Sequence, residues 1–237
     1  MATGDALEPA YVLHRRPYRE SSLLVEFLTP GRGRLGAVAR GARSARSRWR
    51  GLLEPFQGLL IGVSGRGELG TLSHAEGVGH PPWFSGPALP SAFYASELIL
   101  RLVRRDDPAP DVFTTYGGVL DDLRGDQEPA RVLRRFELKL LQSLGYGIEL
   151  DTTADGERVD GNRWYRYLPG QGLVDAAPQA RGACAGSVLV ALHEDDPDAG
   201  GAVFMQARRI TSAALEPLLG DRPLESRGLY RRRRGDD

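Results

Sequence analysis

Residues 23–39 read LLVEFLTPGRGRLGAVA, Leu23 to Ala39, and this stretch decides the fold. Two apolar segments, Leu23 to Leu28 and Leu35 to Ala39, flank Pro30-Gly31-Arg32-Gly33. The flanks have strand spacing, and the glycines supply the positive φ that a reversing chain needs. The same spacing continues outward to Tyr11–Leu13 on one side and to Leu59–Val63 and Leu69–Ser73 on the other, with Ser64-Gly65-Arg66-Gly67 as a second reversal. Five short strands joined by such turns predict a small closed barrel.

One connection is unlike the others. Ala39 to Gly51, ARGARSARSRWRG, holds Arg40, Arg43, Arg46, Arg48 and Arg50 around Trp49, and no carboxylate occurs between Glu26 and Glu54. Arg32 and Arg34 add two more cations to the same run. Such a block is an electrostatic footprint for nucleic acid. A solvated surface loop has the same composition. Trp49 has two readings as well: an indole that stacks on an unpaired base, or a loop anchor. A five-stranded barrel with a basic rim is the OB pattern.

The whole chain of 237 residues is formally neutral, yet residues 1–80 carry 11 arginines against seven carboxylates. The positive work therefore belongs to the N-terminal third. Because Lys139 is the only lysine among 31 basic residues, part of the arginine excess reads as compositional habit. Cys184 is the only cysteine, which rules out an intrachain disulfide or a cysteine-cluster metal site. The first ten residues do not read as a secretory signal, and no apolar run approaches the roughly 18 residues of a membrane span. A soluble, cytoplasmic protein without cofactor or membrane partner is expected.

Past His80-Pro81-Pro82 the apolar period changes to about 3.6. We place a domain boundary near residue 80, with Trp83-Phe84 packing the linker down. Helices are expected over Leu89–Val103, from Pro110 to Gly125, and from Pro129 to Gly145. An irregular insert near 148–183 contains a hairpin of Trp164–Tyr167 against Gly172–Val174, followed by helical signals at Ser187–His193 and Val203–Leu219. The expected fold class is α+β: an N-terminal five-stranded OB-fold β-barrel, residues 1–80, followed by a mainly α-helical domain, residues 81–237. Arg231 to Arg234 form a basic tail.

Enzymatic motifs fail on inspection. Gly31-Arg32-Gly33-Arg34-Leu35-Gly36 and Gly65-Arg66-Gly67-Glu68-Leu69-Gly70 both match G-x-G-x-x-G, but both lead into strands rather than into the helix that would meet a pyrophosphate. Lys139 lies in no phosphate loop. His193-Glu194 opens like a zinc-protease helix, but Pro197 stands where the second histidine belongs. Glu194, Asp195, Asp196 and Asp198 read as solvated charge or, less simply, as Mg²⁺ ligands of a nuclease. His14, His74 and His80 have no nucleophile partner at any useful spacing. On the third helix, Arg131, Arg134 and Arg135 beside Phe136 form either a solvated polar face or a grip for a carboxylate.

Several segments together resemble the RecO family of bacterial recombinational repair proteins. They are Val12–Leu24 (VLHRRPYRESSLL), Val38–Ser44 (VARGARS), Leu53-Glu54-Pro55-Phe56, Arg134–Tyr146 (RRFELKLLQSLGY), Leu215–Gly220 (LEPLLG) and Leu224–Arg227 (LESR). The resemblance implies binding to single- and double-stranded DNA, strand annealing and help in loading RecA, with RecR and the single-stranded DNA-binding protein SSB as partners. It also implies work at the nucleoid during repair. In such proteins the acidic, apolar-ended SSB tail docks on the helical domain, which makes Arg131, Arg134, Arg135 and Phe136 the candidates here. Some members carry a four-cysteine zinc site in the region matching Leu150–Ala183. With Cys184 alone, hydrogen bonds within Asp151–Tyr167 would have to organise that region instead. A metal-dependent nuclease and a pure protein adaptor remain the alternatives to a DNA-binding mediator.

Overall fold

The structure, a computed structural model, describes residues 7–65, 69–79, 83–226, 228 and 229. The linker at His80-Pro81-Pro82, part of the turn at Ser64-Gly65-Arg66-Gly67 and the Arg231–Arg234 tail lie outside the described residues. The chain forms two compact units. One contains the chain up to Arg124 together with the segment from Leu224; the other is Gly125–Pro223.

In the first unit, β1 (Glu8–Tyr18), β2 (Ser22–Thr29), β3 (Gly33–Ala39), β4 (Gly58–Ser64) and β5 (Gly70–Val78) close a barrel in the order β1-β2-β3-β5-β4. The expected strands are all present. β1 and β5 run further than their apolar segments because the polar ends still pair: Tyr18 sits opposite Ser22, and Val78 opposite Gly58. Val12, Val25, Phe27, Leu35, Ala37, Leu59, Ile61 and Leu72 fill the interior at the period of two that a pleated strand dictates. This is the expected OB barrel.

The β2–β3 turn is clamped from outside the barrel. α1 (Ala88–Leu102) and α2 (Pro110–Arg124) are joined by residues that bond directly to it: Arg34 N–H donates to the Arg104 carbonyl at 3.2 Å, Asp106 N–H to the Arg34 carbonyl at 3.2 Å, and Ala109 N–H to the Pro30 carbonyl at 3.0 Å. Gly33 is required here. It has φ +56°, and a Cβ would come within 2.1 Å of the Asp107 carbonyl oxygen. Both helices pack with the barrel through aromatic contacts, with Tyr11 against Phe113 and Tyr116, and Phe56 against Phe84 and Phe93. Phe84 thus packs as expected, whereas Trp83 does not: it is 86% exposed.

The second unit contains α3 (Pro129–Ser143), a three-stranded sheet of β6 (Trp164–Leu168), β7 (Gly172–Asp175) and β8 (Cys184–Ala185), α4 (Gly186–His193) and α5 (Gly201–Leu219). Proline opens α3 and Gly145, with φ +83°, follows its last turn. The insert is ordered by hydrogen bonds: Val159 N–H to the Asp151 carbonyl at 2.9 Å, Thr153 N–H to Glu157 at 2.8 Å and Ala154 N–H to Leu173 at 2.7 Å. The fully buried Tyr165 accepts the Asp160 N–H on its hydroxyl at 2.9 Å.

Two residues follow directly from this packing. A Cβ at Gly186 would lie 2.0 Å from the Asp160 carbonyl oxygen, so the start of α4 tolerates no side chain. Gly186→Ala is expected to destabilise the protein by about 1–3 kcal/mol through overpacking, read as a lower midpoint in denaturant. Cys184 is buried, and burial pushes its thiol up to about 12, so it packs as a small apolar residue rather than reacting.

Candidate nucleic-acid interface

The basic stretch lies between β3 and β4. From Ala39 the chain winds through successive turns, with N–H groups of Ala42, Ser44, Ser47, Arg50 and Leu52 each donating to the carbonyl three residues back at 3.1–3.4 Å. Gly41 and Gly51, at φ +67° and +75°, bracket it. This winding carries Trp49 into the barrel core. Its indole is 5% exposed, donates to the Arg40 carbonyl at 3.1 Å and carries the Arg48 guanidinium 4.1 Å above its ring. Trp49 is therefore the anchor of the loop, and its ring is not available for a base to stack on.

The anchor fixes what surrounds it. Arg40, Arg43, Arg46, Arg48 and Arg50 are all exposed. Their hydrogen bonds within the protein go to backbone carbonyls: Arg43 to Arg19 and Glu20, Arg48 to Ser73, and Arg50 to Ala45. Among the described residues, none of the five is ion-paired with a carboxylate. Their charge is therefore uncompensated locally, and a phosphate chain could collect several such contacts without first breaking salt bridges.

Arg32 and Arg34 are placed differently. β3 separates them from the loop by about 20 Å at ~3.3 Å per residue. Arg32 is bonded to Asp106 at 2.6 Å; Arg34 donates to the Leu100 carbonyl and lies 3.9 Å from Glu26, which Arg105 also engages. Partial burial lowers the affinity of Arg34 for its proton, an effect the neighbouring Glu26 opposes. These two cations hold the β2–β3 turn onto the α1–α2 connection. In their place the fold brings Arg19 to the loop. The turn after β1 bonds to it through Arg43 N–H to the Ser21 carbonyl at 2.9 Å, and Arg19, at φ +52°, lies over the Tyr18 ring. The β2–β3 register, with Leu23 opposite Ala39, places the β1–β2 turn beside the loop.

In the second unit, the four residues of α3 fall into two pairs. Arg134 and Phe136 are buried, at 3% and 2% exposure, and Arg134 already donates to Glu137 at 2.6 Å and to Thr211 at 3.2 Å. Arg131 and Arg135 reach the surface and close on Asp195 of the α4–α5 connection: Arg131 donates at 3.0 Å and Arg135 through Nε at 2.7 Å. The hydrogen bond from Arg135, seconded by Arg131, holds the Asp195 carboxyl below its ordinary range. Asp195 adopts φ +51°. The acidic connection is thus not simply solvated, since one of its carboxylates occupies a two-arginine fork. Among the described residues no group of three or more His, Cys, Asp or Glu converges on a possible metal position. No helix among them is long and apolar enough to cross a membrane.

Comparison with known proteins agrees along the chain. Residues 1–80 match the family model described as Recombination protein O N terminal, and residues 85–228 the one described as Recombination protein O C terminal. A DNA repair protein RecO of Alkalilimnicola ehrlichii is 48% identical over 235 residues, covering 97% of this chain and 93% of that protein. Those of Pseudomonas aeruginosa and Halorhodospira halophila are each 42% identical, covering 97% and 96% of this chain and 96% and 97% of their own lengths.

Proposed function

The chain belongs to the RecO family of DNA repair proteins, and we propose that it is a non-enzymatic mediator that grips DNA through the Arg40–Arg50 loop. In this reading it binds single and double strands, anneals complementary strands and, with RecR, assists RecA loading on SSB-coated DNA at the nucleoid. The observation that carries it is the set of five exposed loop arginines, without carboxylate partners among the described residues, held on a buried tryptophan. Arg19 extends the same face. Arg32 and Arg34, engaged at the other end of β3, act on DNA only through the fold they hold. Titration of a labelled strand at several salt concentrations tests the reading, because binding through phosphate contacts weakens steeply with salt. Salt-independent binding, or none, would favour the adaptor reading; cleavage that EDTA stops would favour the nuclease.

The partner site is proposed on α3. Arg135 presents a planar fork suited to a carboxylate, seconded by Arg131, whose guanidinium is also held by the Asp195 and Pro197 carbonyls, and Asp195 shows the kind of group they accept. An acidic SSB tail would compete with Asp195 for them, while Arg134 and Phe136 support the helix from beneath. Arg135→Ala is expected to weaken an SSB tail peptide several-fold without changing affinity for bare DNA. Asp195→Ala is expected to strengthen the same peptide by removing its internal competitor. A peptide titration of both variants checks this, and equal affinities in all three proteins would remove the site.

A further inference from the structure

With Trp49 in the core, the aromatic group open to solvent near the loop is Trp83, 86% exposed. Among the described residues no ring or guanidinium packs against its indole. It forms one wall of a pocket of about 460 Å³, within the range of small-molecule sites, whose other sides include Gly51, Glu54, Phe56, Gln57 and Phe93. Phe56 is held at φ +70°, a conformation that bulky L residues rarely adopt. Two backbone hydrogen bonds fix it there, Phe56 N–H to the Val12 carbonyl at 2.7 Å and Val12 N–H to the Gln57 carbonyl at 3.0 Å. In that position its ring meets Phe84 at 5.3 Å and Phe93 at 4.9 Å, both edge-on. A strained residue that builds an aromatic wall beside an exposed indole is the kind of local strain found at functional sites.

We propose that this pocket is a nucleobase site, in which an unpaired base of a DNA strand held on the loop stacks on Trp83. The inference rests on the loop being the DNA grip. Continuity supports it: Gly51, which lines the pocket, directly follows Arg50, so the pocket borders the C-terminal end of the basic loop. A base is flat and neutral and matches aromatic walls; of the polar groups beside them, the Gln57 amide nitrogen donates to the Gly58 carbonyl at 2.9 Å and Glu54 pairs with Arg15 at 2.5 Å. Duplex bases are stacked on one another and do not enter, so the pocket selects for single strands.

The test uses the full chain with Trp83→Ala and Trp83→Phe; an indole this exposed can be truncated without opening a core cavity. The probes are a deoxythymidine strand, a blunt duplex and a strand of equal length lacking bases. Loss of one stack is expected to weaken Trp83→Ala on the deoxythymidine strand about tenfold. Affinity for the duplex and the baseless strand, and the slope of affinity against salt, are expected to stay unchanged. Trp83→Phe is expected to retain most of the binding. Undiminished binding by Trp83→Ala, or an equal loss on the baseless strand, would overturn the proposal. So would binding of an acidic, apolar-ended peptide that Trp83→Ala abolishes, which would reassign the pocket to a protein partner. A failure of the DNA reading looks different, since wild type would then bind none of the three probes in a salt-dependent way.

Discussion

Arg43→Glu combined with Arg46→Glu is expected to weaken single-strand binding by at least about tenfold and to flatten its salt dependence. With five arginines each neutralising one phosphate, the slope of log affinity against log salt is about −3.5; with three it is about −2. Both side chains are exposed, and the bonds they contribute within the protein are those of Arg43 to the Arg19 and Glu20 carbonyls at 3.2–3.4 Å. Trp49 holds the loop independently of them, so the thermal midpoint should barely move. The two readouts therefore separate lost DNA contact from lost fold. A shallower slope with unchanged stability is the expected pair, measured by fluorescence titration and thermal unfolding.

Arg134→Ala is expected to act on stability instead, and strongly. Arg134 and Glu137 are a buried pair on α3, with side chains 4% and 1% exposed and 2.6 Å apart. Removing the guanidinium leaves a carboxylate in a medium that solvates it poorly, a change that typically costs about 3–5 kcal/mol. Replacing both partners with apolar residues of similar volume, Arg134→Met with Glu137→Leu, is expected to recover most of that loss. Denaturant unfolding of the two variants checks this. The consequence for function is practical: loss of partner binding in Arg134→Ala would report a damaged helix, and Arg135→Ala is the informative variant.

The barrel was legible because its strands keep apolar residues at a period of two between glycine turns. Its ends were not, since residues such as Arg16 and His74 are polar and are placed in strands only by cross-strand pairing. Helix α3 was legible at both ends from Pro129 and Gly145. The basic loop was legible as a charge block, but the fate of its tryptophan was not: loop composition gives no sign that successive tight turns return the indole to the core. Partners remote in sequence were invisible for the same physical reason. Arg32 finds Asp106 and Arg135 finds Asp195 across more than 50 residues, and no local period encodes an ion pair of that span. Composition marked one carboxylate-free run from Arg32 to Arg50; the fold pairs Arg32 with Asp106 and sets Arg34 beside Glu26, while the arginines of Arg40–Arg50 have no carboxylate partner among the described residues.

The most direct test of the mediator reading is the rate at which complementary DNA strands coated with SSB anneal. The wild-type chain is expected to accelerate annealing, Arg43→Glu with Arg46→Glu to abolish the acceleration, and Arg135→Ala to lose it on SSB-coated strands while keeping it on bare ones. Annealing by the loop variant at the wild-type rate would contradict the assignment of DNA binding to the arginines around Trp49.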